Sequence, residues 1–267
     1  MGVPLELLEP NKAKQLCAIL GVSPKKSLSQ NFLCSNSIVQ RIVSLAKDES
    51  RVVEIGPGSG ALTYYLSQNK QLTAIEKDDF WSEFISKNYP NVNLIHQDIL
   101  DVDSMIYAGQ TVVGNLPYNI STAIIRTLLS SPNPPARLIV MLQKEVAMRI
   151  VSPKASKLSL GIAYYGTAKL KFLVHKRYFY PQPKVDSAIV EIISHHKYPR
   201  NDEQKDLFNL IKIAFNAPRK KLGNNLKPIL GDNSWSAICL DLGLDDNVRP
   251  EDVNLDQWLA LSARLKR

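Results

Sequence analysis

Short apolar runs alternate with amphipathic stretches along most of the chain. The runs Arg51–Ile55, Gln71–Ile75, Val92–His96, Thr111–Val113 and Arg137–Leu142 are brief and rich in branched aliphatic residues, as strands are. Between them lie Leu62–Ser67, Phe80–Asn88, Thr122–Leu129 and Glu145–Val151, which suit helices. Ahead of the first run, Ile38, Val39, Ile42, Val43, Leu45 and Ala46 show the i, i+3, i+4 spacing of an amphipathic helix. Strands and helices in alternation predict an α/β fold, a doubly wound and mostly parallel sheet covered on both faces. The first 34 residues read as an irregular arm with a short helix around Lys12–Leu20. Leu170–Val174 and Ala188–Ile193, separated by a proline-containing loop, sit close in sequence and are expected to pair antiparallel at the sheet edge. Past His196 the pattern turns helical, over Asp202–Phe215, Ser234–Leu242 and Leu255–Leu265. Pro199 interrupts the pattern, so a boundary is expected near Tyr198–Asn201, dividing a domain of residues 1–198 from a small α-helical domain of 199–267.

Composition narrows the class. Hydrophobic residues make up 45% and charged residues 22% of the 267, a soluble globular balance. No apolar run approaches a membrane span, and the start MGVPLELLEP lacks a basic-then-apolar leader, so a cytoplasmic protein with no membrane partner is expected. Cys17, Cys34 and Cys239 are far apart and the four histidines show no ligand spacing, so neither disulfides nor a metal is expected. The net charge of +8 is unevenly spread. Between Glu145 and Asp186 there is no acid but eight bases: Arg149, Lys154, Lys157, Lys169, Lys171, Lys176, Arg177 and Lys184. A single-sign stretch of this kind attracts a polyanion. From His196 onward 12 basic groups face 10 acidic ones, and only Arg219, Lys220 and Lys221 form a local cluster.

Four signals carry chemistry, each at the end of an expected strand. Glu54-Ile55-Gly56-Pro57-Gly58-Ser59-Gly60 is a glycine turn between strand and helix, where Gly56 and Gly58 let backbone approach a ligand. Glu76 follows 20 residues after Gly56, placed to accept from both hydroxyls of a ribose. Asp98 is placed to accept from an adenine amino group. The fourth is Asn115-Leu116-Pro117-Tyr118. The exocyclic amine of adenine is a poor nucleophile because its lone pair is delocalised into the ring. Two acceptors aimed at its hydrogens favour a more tetrahedral nitrogen and stabilise the charge that develops there. The Asn115 side-chain oxygen and the Leu116 carbonyl are such a pair, Pro117 restricts Leu116 to extended geometry, and Tyr118 offers a ring for a flipped-out base.

These motifs, in this order, resemble the ribosomal RNA adenine dimethyltransferase family, most closely its bacterial small-subunit branch. The resemblance covers most of the chain and implies a Rossmann-like class I methyltransferase domain that uses S-adenosylmethionine. Lys26-Ser27-Leu28-Ser29-Gln30-Asn31-Phe32-Leu33 resembles the N-terminal motif, in which Asn31 and Leu33 would touch the cofactor. Gly56, Gly58, Glu76 and Asp98 match its cofactor positions, which Asn115 also borders. Phe179, in Tyr178-Phe179-Tyr180-Pro181-Gln182-Pro183-Lys184-Val185-Asp186-Ser187-Ala188, matches a second aromatic placed against the target base. Gln143–Ala147 and Ala214-Phe215 with Arg219-Lys220 resemble further family segments. Three positions depart from the pattern: Ser29 stands for the usual Gly, and Lys221 and Gly223 for the usual Thr and Arg.

The implied activity is dimethylation, at N6, of two adjacent adenosines near the 3′ end of small-subunit (16S) ribosomal RNA, with a role in small-subunit biogenesis. The implied partner is the small ribosomal subunit or its precursor, met by a monomer. Lys154, Lys157, Lys184, Arg219, Lys220 and Lys221 are the expected RNA contacts. Rival readings are the antibiotic-resistance branch, which modifies large-subunit RNA, and a non-catalytic assembly or transcription factor. The forms of the N-terminal and Asn-Leu-Pro-Tyr motifs favour the small-subunit branch, and DNA adenine methyltransferases usually carry Pro where Leu116 stands. Intact Glu76, Asn115 and Tyr118 argue for catalysis.

Overall fold

The alternating apolar runs become neighbours in one sheet. The computed structural model describes residues 9–230 and 234–265. Residues 1–8 of the expected N-terminal arm lie outside that range. A helix, α1 (Pro10–Ile19), and a two-residue strand, β1 (Phe32–Leu33), precede α2 (Asn36–Leu45). Then come β2 (Arg51–Ile55), α3 (Thr63–Asn69), β3 (Gln71–Glu76), α4 (Asp79–Asn88), β4 (Asn93–His96), β5 (Thr111–Asn115), α5 (Ser121–Ser130), β6 (Arg137–Gln143) and α6 (Lys144–Ile150). They are followed by α7 (Lys157–Tyr165), β7 (Gly166–Val174), β8 (Phe179–Tyr180) and β9 (Ser187–Ser194). The C-terminal helices are α8 (Asp202–Ala214), α9 (Leu222–Leu230), α10 (Trp235–Leu242) and α11 (Leu255–Leu265).

The seven-stranded sheet has the order β4-β3-β2-β5-β6-β9-β7. Strands β4, β3, β2, β5 and β6 run parallel, and β9 lies antiparallel against β6 with β7 beyond it at the edge. The central strands are apolar without alternation because helices cover both faces: Val52, Val53, Val112, Val113 and Leu138 to Val140 are fully buried. Every parallel strand therefore points its carboxyl end to the same side, and the order reverses between β2 and β5. That is where open α/β sheets bind ligands.

The chain divides into two compact units, Met1–Ala147 with Ala168–Ser194, and Met148–Thr167 with His195–Arg267. The division departs from the boundary expected near residue 198 by taking α7 out of the first unit. Tyr164 and Tyr165 explain why. Tyr164 stacks on Tyr198 with ring centroids 5.1 Å apart and meets Phe208 at 5.3 Å, while Gln204 donates to the Tyr165 hydroxyl at 2.6 Å. In this second unit Leu207, Ile211, Leu222, Leu226, Trp258 and Leu261 form the buried interior. Among the described residues no helix is long and apolar enough to cross a membrane.

Candidate active site

A cavity of about 380 Å³ opens at the carboxyl ends of β2 to β5, within the range of small-molecule sites. Residues 27–33, the glycine turn after β2, the ends of β3 and β4, and residues 115–120 form its wall. Asn31, Leu33, Gly56, Gly58, Glu76, Asp98 and Asn115 through Tyr118 all line it, so residues far apart in sequence meet in one place.

The turn after β2 needs its glycines for two different reasons. Gly56 has φ +66°, a conformation that favours glycine, with open space where a Cβ would stand. A Cβ on Gly58 (φ +50°) would stand 3.0 Å from the Phe32 ring, which carries the N-terminal segment over the turn. Beyond the turn, Glu76 is nearly buried and accepts from two backbone amides, Gly58 N–H at 3.1 Å on one oxygen and Asp78 N–H at 2.8 Å on the other. Burial raises its carboxyl above the usual range, with those amides opposing. The Lys77 amide adds to these, and with about four lone-pair positions the carboxylate still has capacity for a ligand hydroxyl. Burial also raises Asp98, but the Lys77 ammonium at 2.6 Å and the Leu100 amide at 3.0 Å outweigh it and hold the carboxyl below its ordinary value. Asp98 is therefore a ready acceptor.

Asn115 ends β5. Its side-chain nitrogen donates to the Asn31 carbonyl at 2.8 Å. A carbonyl only accepts, so the amide must turn its nitrogen that way, which leaves Oδ1 as the free acceptor. Among the described residues no hydrogen bond claims Asn115 Oδ1 or the Leu116 carbonyl. Beside them the Tyr118 hydroxyl and Ser187 Oγ lie 2.6 Å apart. Burial raises the Tyr118 phenol, the Ser187 contact opposing, so the ring stays neutral.

Phe179 is the exception among the expected site residues. It does not line the cavity; it is 1% exposed and packs in the cluster containing Leu33, Ile38, Val174 and Ile189. The cause is strand alternation: β8 pairs with β1 in the register Leu33↔Phe179 and Phe32↔Tyr180. Successive side chains then face opposite ways, with Phe179 behind Leu33 and Tyr180 in the Phe32 cluster. In this geometry Phe179 supports the wall that Leu33 presents, and only Tyr118 of the two expected aromatics borders the cavity.

The basic residues separate too. Arg149, Lys154 and Lys157 belong to the second unit, the other five of the acid-free stretch to the first. Several are engaged: Lys154 pairs with Asp252, Lys171 with Glu191 at 3.1 Å, and Arg177 lies over the Tyr178 ring. Lys157 and Lys184 are exposed. Arg219, Lys220 and Lys221 instead line a second concavity of about 780 Å³, joined by Lys227 and Arg249, two bases sequence reasoning did not single out. Asp78 and Ser187 stand behind the first cavity rather than in its wall: Asp78, outside every quoted motif, donates its backbone amide to Glu76, and Ser187, carried along in the Phe179 segment with no role assigned, meets the Tyr118 hydroxyl.

Residues 21–267 match the ribosomal RNA adenine dimethylase family. The chain belongs to that family. It is 36% identical to the ribosomal RNA small subunit methyltransferase A of Enterococcus faecalis, over 98% of this chain and 97% of that one. The enzyme of the same name from Bacillus pumilus is 37% identical, over 98% of each. Among solved structures, a dimethyladenosine transferase from Plasmodium falciparum superposes with a TM-score of 0.72 at 23% identity, covering 86% of this chain and 95% of that one. The 23S rRNA methyltransferase ErmE superposes at 0.69 and 24%, covering 88% and 100%. At those identities the structures establish the fold alone, the mostly parallel sheet flanked by helices described above. The family's description names adenine in ribosomal RNA as the base that is dimethylated.

Proposed function

We propose that this dimethylase acts on two adjacent adenosines near the 3′ end of small-subunit ribosomal RNA, converting each to N6,N6-dimethyladenosine. Near-complete coverage of relatives named as small-subunit methyltransferases supports the choice of RNA. The observation that carries the chemistry is the Asn115 amide, pinned through its nitrogen to the Asn31 carbonyl with Oδ1 left to accept.

The cavity suits S-adenosylmethionine. Glu76 offers acceptors for ribose hydroxyls, Asp98 for an adenine amine, and Gly56 leaves room where a side chain would intrude. Gly58, Asn31 and Leu33 complete the wall. When bound, that cofactor supplies an electrophilic methyl group. The chain's own part is to prepare the acceptor nitrogen. Asn115 Oδ1 and the Leu116 carbonyl take the two amine hydrogens, drawing the nitrogen lone pair out of conjugation, and Tyr118 holds the base ring. After the first methylation one hydrogen remains for these acceptors, so the same pocket serves the second round. Phosphates of the RNA would be held by Lys157 and Lys184 and by the concavity of Arg219, Lys220 and Lys221, and Lys154 would join them by exchanging its Asp252 partner for a phosphate.

Replacing Asn115 tests this assignment. Asn115→Ala is expected to lower transfer at saturating substrates by about 100-fold or more, while small-subunit binding stays nearly unchanged. Equal loss of binding would refute the role given to Asn115.

A further inference from the structure

Segment 27–33 is one wall of the cavity, yet between α1 and β1 it has only a single short 3₁₀ turn, Lys26–Leu28. Ahead of the β1–β8 pairing, its main side-chain anchor is a buried carboxylate from another element. Asp78, whose side chain is 1% exposed, stands before α4 and accepts from the Phe80 and Trp81 amides at 3.0 and 3.2 Å through Oδ1. Its other oxygen faces the N-terminal segment, taking Lys25 Nζ at 2.7 Å and Gln30 Nε2 at 3.2 Å. Gln30 reciprocates by accepting from the Lys25 backbone amide at 2.8 Å. The next residue, Asn31, supplies the carbonyl that orients Asn115.

We propose that Asp78 is a positioning residue: through Gln30 and Lys25 it fixes the Asn31 carbonyl, and through that carbonyl the acceptor face of Asn115. The same residue lies two positions after Glu76 and donates its own backbone amide to Glu76 Oε1 at 2.8 Å. One residue therefore ties the ribose acceptor and the amine acceptor to a common anchor. The latch stands on geometry alone; its consequence for methyl transfer rests on the function proposed above.

Asp78→Asn isolates the latch from the fold. Asparagine caps a helix about as well as aspartate, so the hydrogen bonds from the Phe80 and Trp81 amides survive. The nitrogen of the new amide, though, meets the Gln30 nitrogen and the Lys25 ammonium. Gln30→Glu makes the opposite error, setting two carboxylates together. When both substitutions are combined, the amide introduced at position 78 donates to the carboxylate introduced at position 30, and Lys25 regains an anionic partner. Three readouts are taken: amide hydrogen exchange of residues 25–31 in the free chain, S-adenosylhomocysteine binding by calorimetry, and transfer to unmethylated small subunits. Each single variant is expected to exchange faster over this segment and to lose about tenfold in binding and in kcat, with the double variant recovering most of each. Singles indistinguishable from the unsubstituted chain, or a double no better than the sum of its parts, would overturn the proposal. An unsubstituted chain that shows the exchange pattern but neither binds nor transfers would refute the proposed function and leave the latch standing.

Discussion

Ser29 shows how much a single residue can carry. It has φ +50°, and among the described residues it is the one non-glycine with positive φ. Its carbonyl takes the Asn31 side chain at 2.9 Å, so the strained residue lies inside the segment that orients Asn115. A left-handed conformation costs a residue with a Cβ roughly 1–2 kcal/mol, part of which glycine gives back as chain entropy. The family's usual glycine is thereby explained, and Ser29→Gly is expected to stabilise the chain by about 1 kcal/mol, raising Tm by roughly 2–4 °C. Thermal unfolding of the two proteins checks this; an unchanged or lower Tm would contradict it. Gly223, another departure, has a packing reason. A Cβ there would stand 2.7 Å from the Trp235 indole, which is fixed by its own hydrogen bond to the Asp246 carbonyl at 3.1 Å.

At the scale of elements, β2 carries a second buried acid beneath the glycine turn. Glu54 is 1% exposed and accepts from Thr63 Oγ1 at 2.8 Å. Burial pushes its carboxyl up to about 8, with the Thr63 hydroxyl opposing and the Glu76 charge adding to the rise. A folded value above the unfolded one means the contribution to stability is complete below about pH 4.3 and is lost as pH rises through about 8. Between about pH 6 and 9 the Tm of the unsubstituted chain should therefore fall more steeply than that of Glu54→Gln. Parallel curves would show that Glu54 does not titrate in this window. The strands were legible from sequence because buried, β-branched runs such as Val52–Ile55 and Leu138–Leu142 have one good solution. Helix α9 was not, since Gly223, Asn224, Asn225 and Pro228 all argue against a helix; burial of Leu222, Leu226 and Leu230 on one face overrides them. Helix α7 hid in the same way, its Ser156–Ser159 capping box lying just ahead of an apolar run that reads equally as strand. The β1–β8 pairing joins residues nearly 150 apart in sequence. No local pattern encodes that register, and with it went the placement of Phe179.

For the whole molecule, Gly56, Glu76, Asp98 and Asn115 could be read because each sits at a strand end in a motif of its own, whereas Asn31 and Leu33 came only with the family resemblance. Charge was less transparent. Lysines counted as one basic stretch are divided between two units and partly consumed by Glu191, Glu251 and Asp252. The concavity of Arg219, Lys220, Lys221, Lys227 and Arg249 draws its bases from positions 30 residues apart. If it holds phosphates, alanine at Arg219, Lys220 and Lys221 together should flatten the salt dependence of subunit binding by about 0.7–0.9 in log–log slope for each phosphate no longer neutralised. Transfer at saturating subunit should be unaffected; an unaltered slope would remove this surface from the RNA interface.

The central claim is that this chain methylates adenine in small-subunit RNA. Its most direct test offers labelled S-adenosylmethionine with unmethylated small subunits, large-subunit RNA and duplex DNA in parallel, identifying labelled nucleosides after digestion. The account predicts N6,N6-dimethyladenosine from the small subunit alone. Label in large-subunit RNA instead, or tight subunit binding with no label in any substrate, would contradict it.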